Sequence, residues 1–225
     1  MKKETYEWIE NYMLSCMKDS AHDREHIYRV LFNALEIAKG EREVDHDLLI
    51  TACLLHDIGR PEQFEDPSLC HAAVGSEKAY RFLKENGFDE PFCQGVRHCI
   101  ATHRFRKAME PETLEARILF DADKLDVTGA IGIARSLMYM GNMIEPIYHV
   151  LPDGTISDGT KEEPPSFFRE YKFKLEKLYD KFYTATGAKL AQQRKEIAAA
   201  FYESLYREVN TGYQSGSEML RQKLQ

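Results

Sequence analysis

The stretch LLHDIGR, residues 54–60, sets an imidazole and a carboxylate side by side, His56 and Asp57, where an apolar run ends in a glycine. A buried, ionised Asp57 is costly there unless it is paired or bound to a cation. A metal ion removes the cost, because both side chains become ligands and the ion compensates the carboxylate. The ordinary alternative is a capping or salt-bridged Asp57 beside a core-bonded His56, and for an isolated His-Asp pair that alternative is preferred. Company changes the balance. His26 borders the apolar stripe of an earlier segment, DREHIYRVLFNALEIAKG. Later, LFDADKLDVTGAIGIAR carries Asp121, Asp123 and Asp126. A solvated face accounts for Asp121 or Asp126. It accounts poorly for Asp123, whose helical neighbours Leu119, Val127, Ala130 and Ala134 are apolar.

Two imidazoles and two carboxylates, with no thiolate, suit a borderline-to-hard divalent ion. Mn²⁺, Fe²⁺, Co²⁺, Ni²⁺, Zn²⁺ and Mg²⁺ all qualify, and six-coordination leaves two positions for water or substrate oxygens. Such an ion lowers the pKa of bound water and polarises a substrate oxygen. On this reading a bare Asp57 burdens the ion-free fold, and Asp57→Ala is expected to leave that fold at least as stable.

The elements that must position these residues read as helices. Ile27, Val30, Leu31, Ala34, Leu35 and Ala38 recur at helical spacing before Gly40, and Leu49, Ala52, Cys53 and His56 share a face before Gly59. Further helical patterns cover roughly 72–86, 90–102, 113–140, 167–184 and 187–210. YHVLPDGTIS fits a small hairpin. The polar, Gly- and Pro-rich stretch 151–166 is expected to be a mobile loop that can close over a site. These patterns predict one all-α domain over 1–225, a helical bundle with its core at about 20–140 and C-terminal helices at about 167–210.

The 225-residue chain is long enough to bury about 70% of its unfolded surface. Its net charge of −7 argues against stable binding to nucleic acid or an anionic membrane. It leaves small anionic substrates open, since a metal supplies local positive charge. Five cysteines without a C-x-x-C pattern argue against a disulfide framework and fit a reducing, cytoplasmic setting. The N-terminus is too charged for a signal peptide, and no apolar run is long enough to span a membrane. The oligomeric state is not legible.

The order His26, His56-Asp57, Asp123 resembles the H…HD…D signature of the HD superfamily of metal-dependent phosphohydrolases. The contexts HDREHIYRV, LLHDIG, HAAVGSEKA and DADKLDVTGAIGIAR resemble it too, and YTATGAKLAQQRKEIAAAFYESLYRE is similar to the tail of a small stand-alone bacterial subgroup. The resemblance covers about 20–210. It implies an all-α fold, with His26, His56, Asp57 and Asp123 as metal ligands in one central cleft and Asp121 as the fallback for Asp123. It makes Lys124 a candidate phosphate contact. It makes His71 and His103 candidates for a second metal, a phosphate contact or proton transfer, each weighed against a structural role. His98 is expected to be structural, His22 exposed, and His46 and His149 without a role. Some relatives carry a Glu three residues after the HD Asp as proton donor. Here that residue is Arg60, so the general acid is unassigned; Arg60, Arg29 and Arg104 are open as phosphate contacts. Where multinuclear relatives have adjacent histidines, this chain has Thr102-His103.

The resemblance implies a metal-dependent hydrolase of nucleotides or related phosphate esters and anhydrides. Pyrophosphate release from nucleoside triphosphates is favoured by the matching tail. The alternatives are a di-iron oxygenase on the same helical core and a non-catalytic nucleotide sensor.

Overall fold

A computed structural model describes residues 1–17, 24–104, 109–161 and 164–224. His22, for which exposure is expected, lies outside the described residues. The fold is all-α. Extended backbone pairs at an antiparallel bridge, Val150 with Ile156. The expected hairpin is therefore reduced to that bridge around the turn at Gly154, whose φ is +82.

The chain divides into two compact units, Met1–Asp126 with Phe182–Gly187, and Val127–Lys181 with Ala188–Gln225. The first holds α1 (Lys3–Cys16), α2 (Arg24–Ala38), α3 (His46–Leu55), α4 (Arg60–Glu65), α5 (His71–Glu85), α6 (Glu90–Thr102) and α7 (Leu114–Leu125). The second holds α8 (Gly129–Asn142), α9 (Phe167–Phe173), a 3-10 turn at Leu175–Lys177 and all but the first residues of α10 (Ala185–Lys223). Every candidate site residue belongs to the first unit.

In that unit α3 is central and packs on α1, α2, α6 and α7. Its sequence explains why. Leu49, Thr51, Ala52, Cys53, Leu54 and Leu55 are all buried, so the helix is apolar all round and not merely on the one face that the spacing suggested. Burying each such Leu stabilises by about 1.5–3 kcal/mol relative to exposing it. Asp45 starts the helix by accepting from the Leu48 amide at 3.0 Å. On α2 the buried stripe is Ile27, Val30, Leu31, Ala34, Ile37 and Ala38, with His26 at its start. Ile37, and not the half-buried Leu35, completes it.

The pattern read as one helix over 113–140 is two. α7 ends at Leu125, and α8 starts at Gly129, whose φ of +61 no ordinary residue adopts without strain. Asp126 at the break turns inward, as described below. Val127, Ala130 and Ala134 thus lie beyond α7 and do not share a helical face with Asp123. The helix expected over 167–184 stops at Phe173, and α10 runs to Lys223, past the expected 210.

Residues 156–158 are anchored within their own unit. Ile156 and Ser157 are buried, and the Tyr202 hydroxyl donates to the Asp158 carbonyl at 2.5 Å. The short apolar content of the loop goes into this anchor, which sequence composition alone did not reveal.

Candidate metal centre

Four helix ends deliver the site. α3 runs into His56 and Asp57, α2 opens with His26, α5 opens with His71, and α6 runs into His103. α7 adds Asp123 near its C-terminal end. The approach of α5 depends on Gly59. A Cβ there would stand 2.3 Å from the His71 carbonyl oxygen and 2.6 Å from the Gly75 nitrogen. Gly59 has φ −94, so it is required for close contact and not for the left-handed helix cap that its position suggests. This contact brings His71 against the turn that holds Asp57.

The side chains form two groups. Ligand atoms of His26, His56 and Asp123 lie within 4.8 Å of one another, and so do those of Asp57, His71 and His103. Asp57 stands between them. Its Oδ2 is 3.6 Å from His26 Nε2 and 3.7 Å from His56 Nε2. Its Oδ1 is 3.3 Å from His71 Nε2 and 3.7 Å from His103 Nε2. Asp123 Oδ1 is 3.3 Å from His26 Nε2, and the Nε2 atoms of His26 and His56 are 3.4 Å apart.

Every ring is held from behind by its other nitrogen. His56 Nδ1 donates to the Cys53 carbonyl at 2.7 Å, and His103 Nδ1 to the Ile100 carbonyl at 2.6 Å. His71 Nδ1 donates to Gln63 Oε1 at 2.5 Å. His26 Nδ1 donates to Asp126 Oδ2 at 2.7 Å. These bonds fix the tautomer that turns an unprotonated Nε2 inward on His56, His71 and His103. The Nε2 atoms of His71 and His103, and Oδ1 of Asp57, are buried without a hydrogen-bond partner among the described residues. Orphaned polar atoms of this kind are rare in folded proteins. Three of them converging, each a lone-pair donor, fit a divalent ion.

Asp121 is elsewhere. It accepts from the amides of Tyr183 at 2.9 Å and Thr184 at 2.7 Å and from the Thr184 hydroxyl, tying 182–187 to α7. Burial raises its pKa against those bonds. Asp121 and Asp126 are both buried, so neither belongs to the solvated face expected for them. The Lys124 ammonium lies over the Phe120 ring at 4.2 Å and the Phe182 ring at 5.7 Å. Arg29 grips Asp126 with Nε at 2.8 Å and Nη2 at 3.1 Å, and Arg60 Nε faces Asp57 Oδ2 at 3.0 Å. His98 accepts from the Glu112 amide at 3.1 Å.

Two parts of this arrangement escaped sequence reasoning. Asp126 sits among apolar neighbours three residues after Asp123, a signal that its dismissal as solvated overlooked. Gln63 carried no signal at all.

The charges are coupled. Burial opposes a proton on His26, but Asp123, Asp126 and Asp57 outweigh it and raise the pKa to about 9. Burial lowers His56 to about 4 and His71 to about 2. Burial likewise opposes ionised Asp57, yet His56, His103 and Arg60 hold its carboxyl well below the usual range. Asp123 is also held low against burial, chiefly by His26.

A pH dependence of the ion-free fold follows. An unfolded histidine titrates near 6.5. Below that, the unfolded chain takes up protons that folded His56 and His71 refuse, so stability falls on acidification. Above it, the stability from charged His26, fully present below 6.5, is lost as pH rises through about 9. Melting with EDTA is therefore expected to peak near pH 6.5, with His26→Gln flattening the alkaline side. A wild-type melting temperature that climbs steadily from pH 6 to 9 would contradict this.

The helical fold and the histidine–aspartate cluster define a class, all-α proteins with a candidate divalent-metal centre. Residues 24–128 match the HD domain family. Bacillus subtilis YpgQ is 28% identical over 206 residues, 90% of each chain. YpgQ solved in complex with ADP superposes with a TM-score of 0.69 at 27% identity, covering 91% of this chain and 97% of that one. An HD-superfamily hydrolase from Bacillus thuringiensis gives 0.71 at 28% identity, over 93% and 99% of the two chains. A predicted HD superfamily hydrolase from an uncultured Thermotogales bacterium gives 0.60 at 29% identity, over 92% of each. These likenesses support a hydrolase. No described helix is long and apolar enough to cross a membrane.

Proposed function

We propose that this protein is a metal-dependent phosphohydrolase acting on nucleotides, with pyrophosphate release from nucleoside triphosphates as the leading reaction. The observation that carries the reading is Asp57, which directs one oxygen toward each of two groups of inward-facing ligands. His26, His56, Asp57 and Asp123 would hold one divalent ion. Asp57 through its other oxygen, with His71 and His103, would hold a second. Ions held there would supply a nucleophile near neutral pH, by lowering the pKa of water, and would offset charge on a phosphoryl oxygen.

The chain's own residues do the rest. The four Nδ1 bonds keep the imidazoles aimed without cost at the moment of reaction. Burial of His56, Asp57, His71 and His103 keeps bulk water from screening their charges. His26 is the group positioned to give up a proton on metal loading, since its pKa is the raised one. Lys124 neighbours Asp123 and remains the proposed phosphate contact. The nucleotide class is supported by the ADP complex of YpgQ.

The test is a release assay over nucleoside mono-, di- and triphosphates with Mn²⁺, Mg²⁺, Co²⁺, Ni²⁺ and Zn²⁺ in parallel. Pyrophosphate from triphosphates is the expected product. Neither phosphate nor pyrophosphate from any substrate, by protein shown to bind metal, would refute the reading. A second reading, dioxygen chemistry on two irons, is favoured by the second ligand group at His71 and His103. It predicts iron-dependent visible absorption and oxygen consumption without phosphate release.

A further inference from the structure

A groove of about 490 Å³ lies between α5 and α6, within the size range of small-ligand sites. We infer that this groove is the subsite for the nucleoside part of a nucleotide, joined to the metal centre through His71 and His103; the inference rests on the phosphohydrolase reading above.

The two helices that line the groove are the two that supply the second ligand group. On α5, His71 turns into the metal centre, while its neighbour Ala72 and then Ala73 face the groove. On α6, Ala101 lines the groove two residues before His103 enters the centre. Arg104 follows immediately and belongs to both regions. It lines the groove, and its Nη1 lies 3.4 Å from His71 Nδ1. That nitrogen already donates to Gln63, so the guanidinium makes no good bond to it and stays available to an anion. A phosphate at this junction would meet a planar cation with a fork of donors.

The groove surface changes character away from Arg104. Ala72, Ala73 and Ala101 offer low walls free of bulky side chains, and Met109 adds a polarisable thioether. Such a wall suits the face of a planar ring, because methionine sulfur makes favourable contacts with aromatic rings. Gln94 stands on the wall; its Nε2 donates to Glu90 at 2.8 Å and its Oε1 accepts from Arg97 at 3.4 Å, and the amide's second N–H and second lone pair can serve a ring edge. A second wall cation, Arg97, is engaged by Glu77 at 2.7 Å and lies over the Tyr80 ring, which leaves Arg104 to set the anionic end. A cationic end beside the His71 ring, followed by a slot with alanine walls, a thioether, an amide and the polar side chains of Ser76 and His98, matches a phosphate chain followed by a nucleoside.

Obstruction of the groove tests this without touching the metal ligands. Ala73 and Gln94 are exposed residues on opposite walls, so Ala73→Phe and Gln94→Trp fill the slot from either side and leave the core alone. Each variant is to be assayed in its metal-loaded form with a nucleoside triphosphate and with inorganic tripolyphosphate, which lacks the nucleoside. Metal-dependent melting confirms folding. The expected result is a KM for the nucleotide raised at least tenfold in both variants, with tripolyphosphate turnover and metal response unchanged. Arg104→Ala is expected to weaken both substrates. If both obstructed variants keep the wild-type KM for the nucleotide, the subsite is wrong and the phosphohydrolase reading stands. If the wild type cleaves tripolyphosphate and no nucleotide, the subsite again fails alone. If the metal-loaded wild type cleaves neither of these nor any nucleoside mono- or diphosphate, the phosphohydrolase reading falls, and the subsite with it.

Discussion

Replacing Asp57 with Asn is expected to lower phosphate or pyrophosphate release by about 10³-fold and to abolish the rise in melting temperature on adding Mn²⁺. Asp57 is the residue whose two oxygens reach toward both ligand groups, so its loss weakens both at once. Metal stabilisation of a transition state is worth several kcal/mol, and each 1.36 kcal/mol is about tenfold in rate. The substitution is also expected to cost stability without metal, where the sequence alone leads to the opposite expectation for Asp57→Ala. Asp57 is not bare in the ion-free fold. Arg60 faces it at 3.0 Å, and its carboxyl is held low against burial by His56, His103 and Arg60. Removing one partner of a buried pair strands the other, so the ion-free variant should melt below the ion-free wild type. The discriminating quantity is the metal increment. A variant that melts lower yet gains the wild-type increment from Mn²⁺ has an Asp57 of structural importance alone, and the metal assignment is then lost.

Replacing Asp126 with Ala is expected to give the largest loss of stability, although Asp126 faces away from the proposed ions. The carboxylate is 1% exposed and receives His26 Nδ1 on Oδ2 and Arg29 on both oxygens. Its removal leaves a buried imidazole and a guanidinium without their acceptor, a loss of about 3–5 kcal/mol for a broken buried pair. For a chain of this size that corresponds to a fall in melting temperature of roughly 10 °C or more. Metal affinity should weaken by about 10–100-fold, the usual consequence of losing a carboxylate that orients a ligating histidine. Unlike the Asp57 variant, this one should recover its activity at high metal concentration. Calorimetric titration with Mn²⁺ and thermal melts decide the matter. Unchanged affinity together with unchanged melting would show that Asp126 neither orients His26 nor compensates Arg29.

The sequence displayed the residues of the site more readily than their arrangement. His26 and the His56-Asp57 pair stood out because polar groups interrupted apolar stripes, and that signal is local. Asp123 was preferred over Asp121 for its apolar surroundings. The structure directs Asp121 to the Tyr183 and Thr184 amides, a contact about sixty residues away that no local pattern reports. The inward turn of Asp126 is hidden from the sequence for a related reason. The periodicity of 113–140 ran on without a visible stop, so the break at Gly129, which turns Asp126 inward, went unseen. His71 and His103 were equally open to a structural role, because a histidine near a helix end has many uses. Only packing shows that α5 and α6 bring them to the same carboxylate oxygen. The helices with strong apolar periodicity were legible to within a few residues. The C-terminal elements were not, because aromatic packing such as Tyr171 stacked on Tyr202 at 4.3 Å, and not a regular stripe, holds that part together.

The most direct test is a crystal structure of the Mn²⁺-loaded protein with anomalous scattering from manganese. The account predicts one anomalous peak about 2.0–2.3 Å from His26 Nε2, His56 Nε2, Asp57 Oδ2 and Asp123 Oδ1. It predicts a second about 3.5–4 Å away, against Asp57 Oδ1, His71 Nε2 and His103 Nε2. A peak at Asp121, or the absence of any peak among His26, His56, Asp57 and Asp123 in protein soaked with excess Mn²⁺, would contradict it.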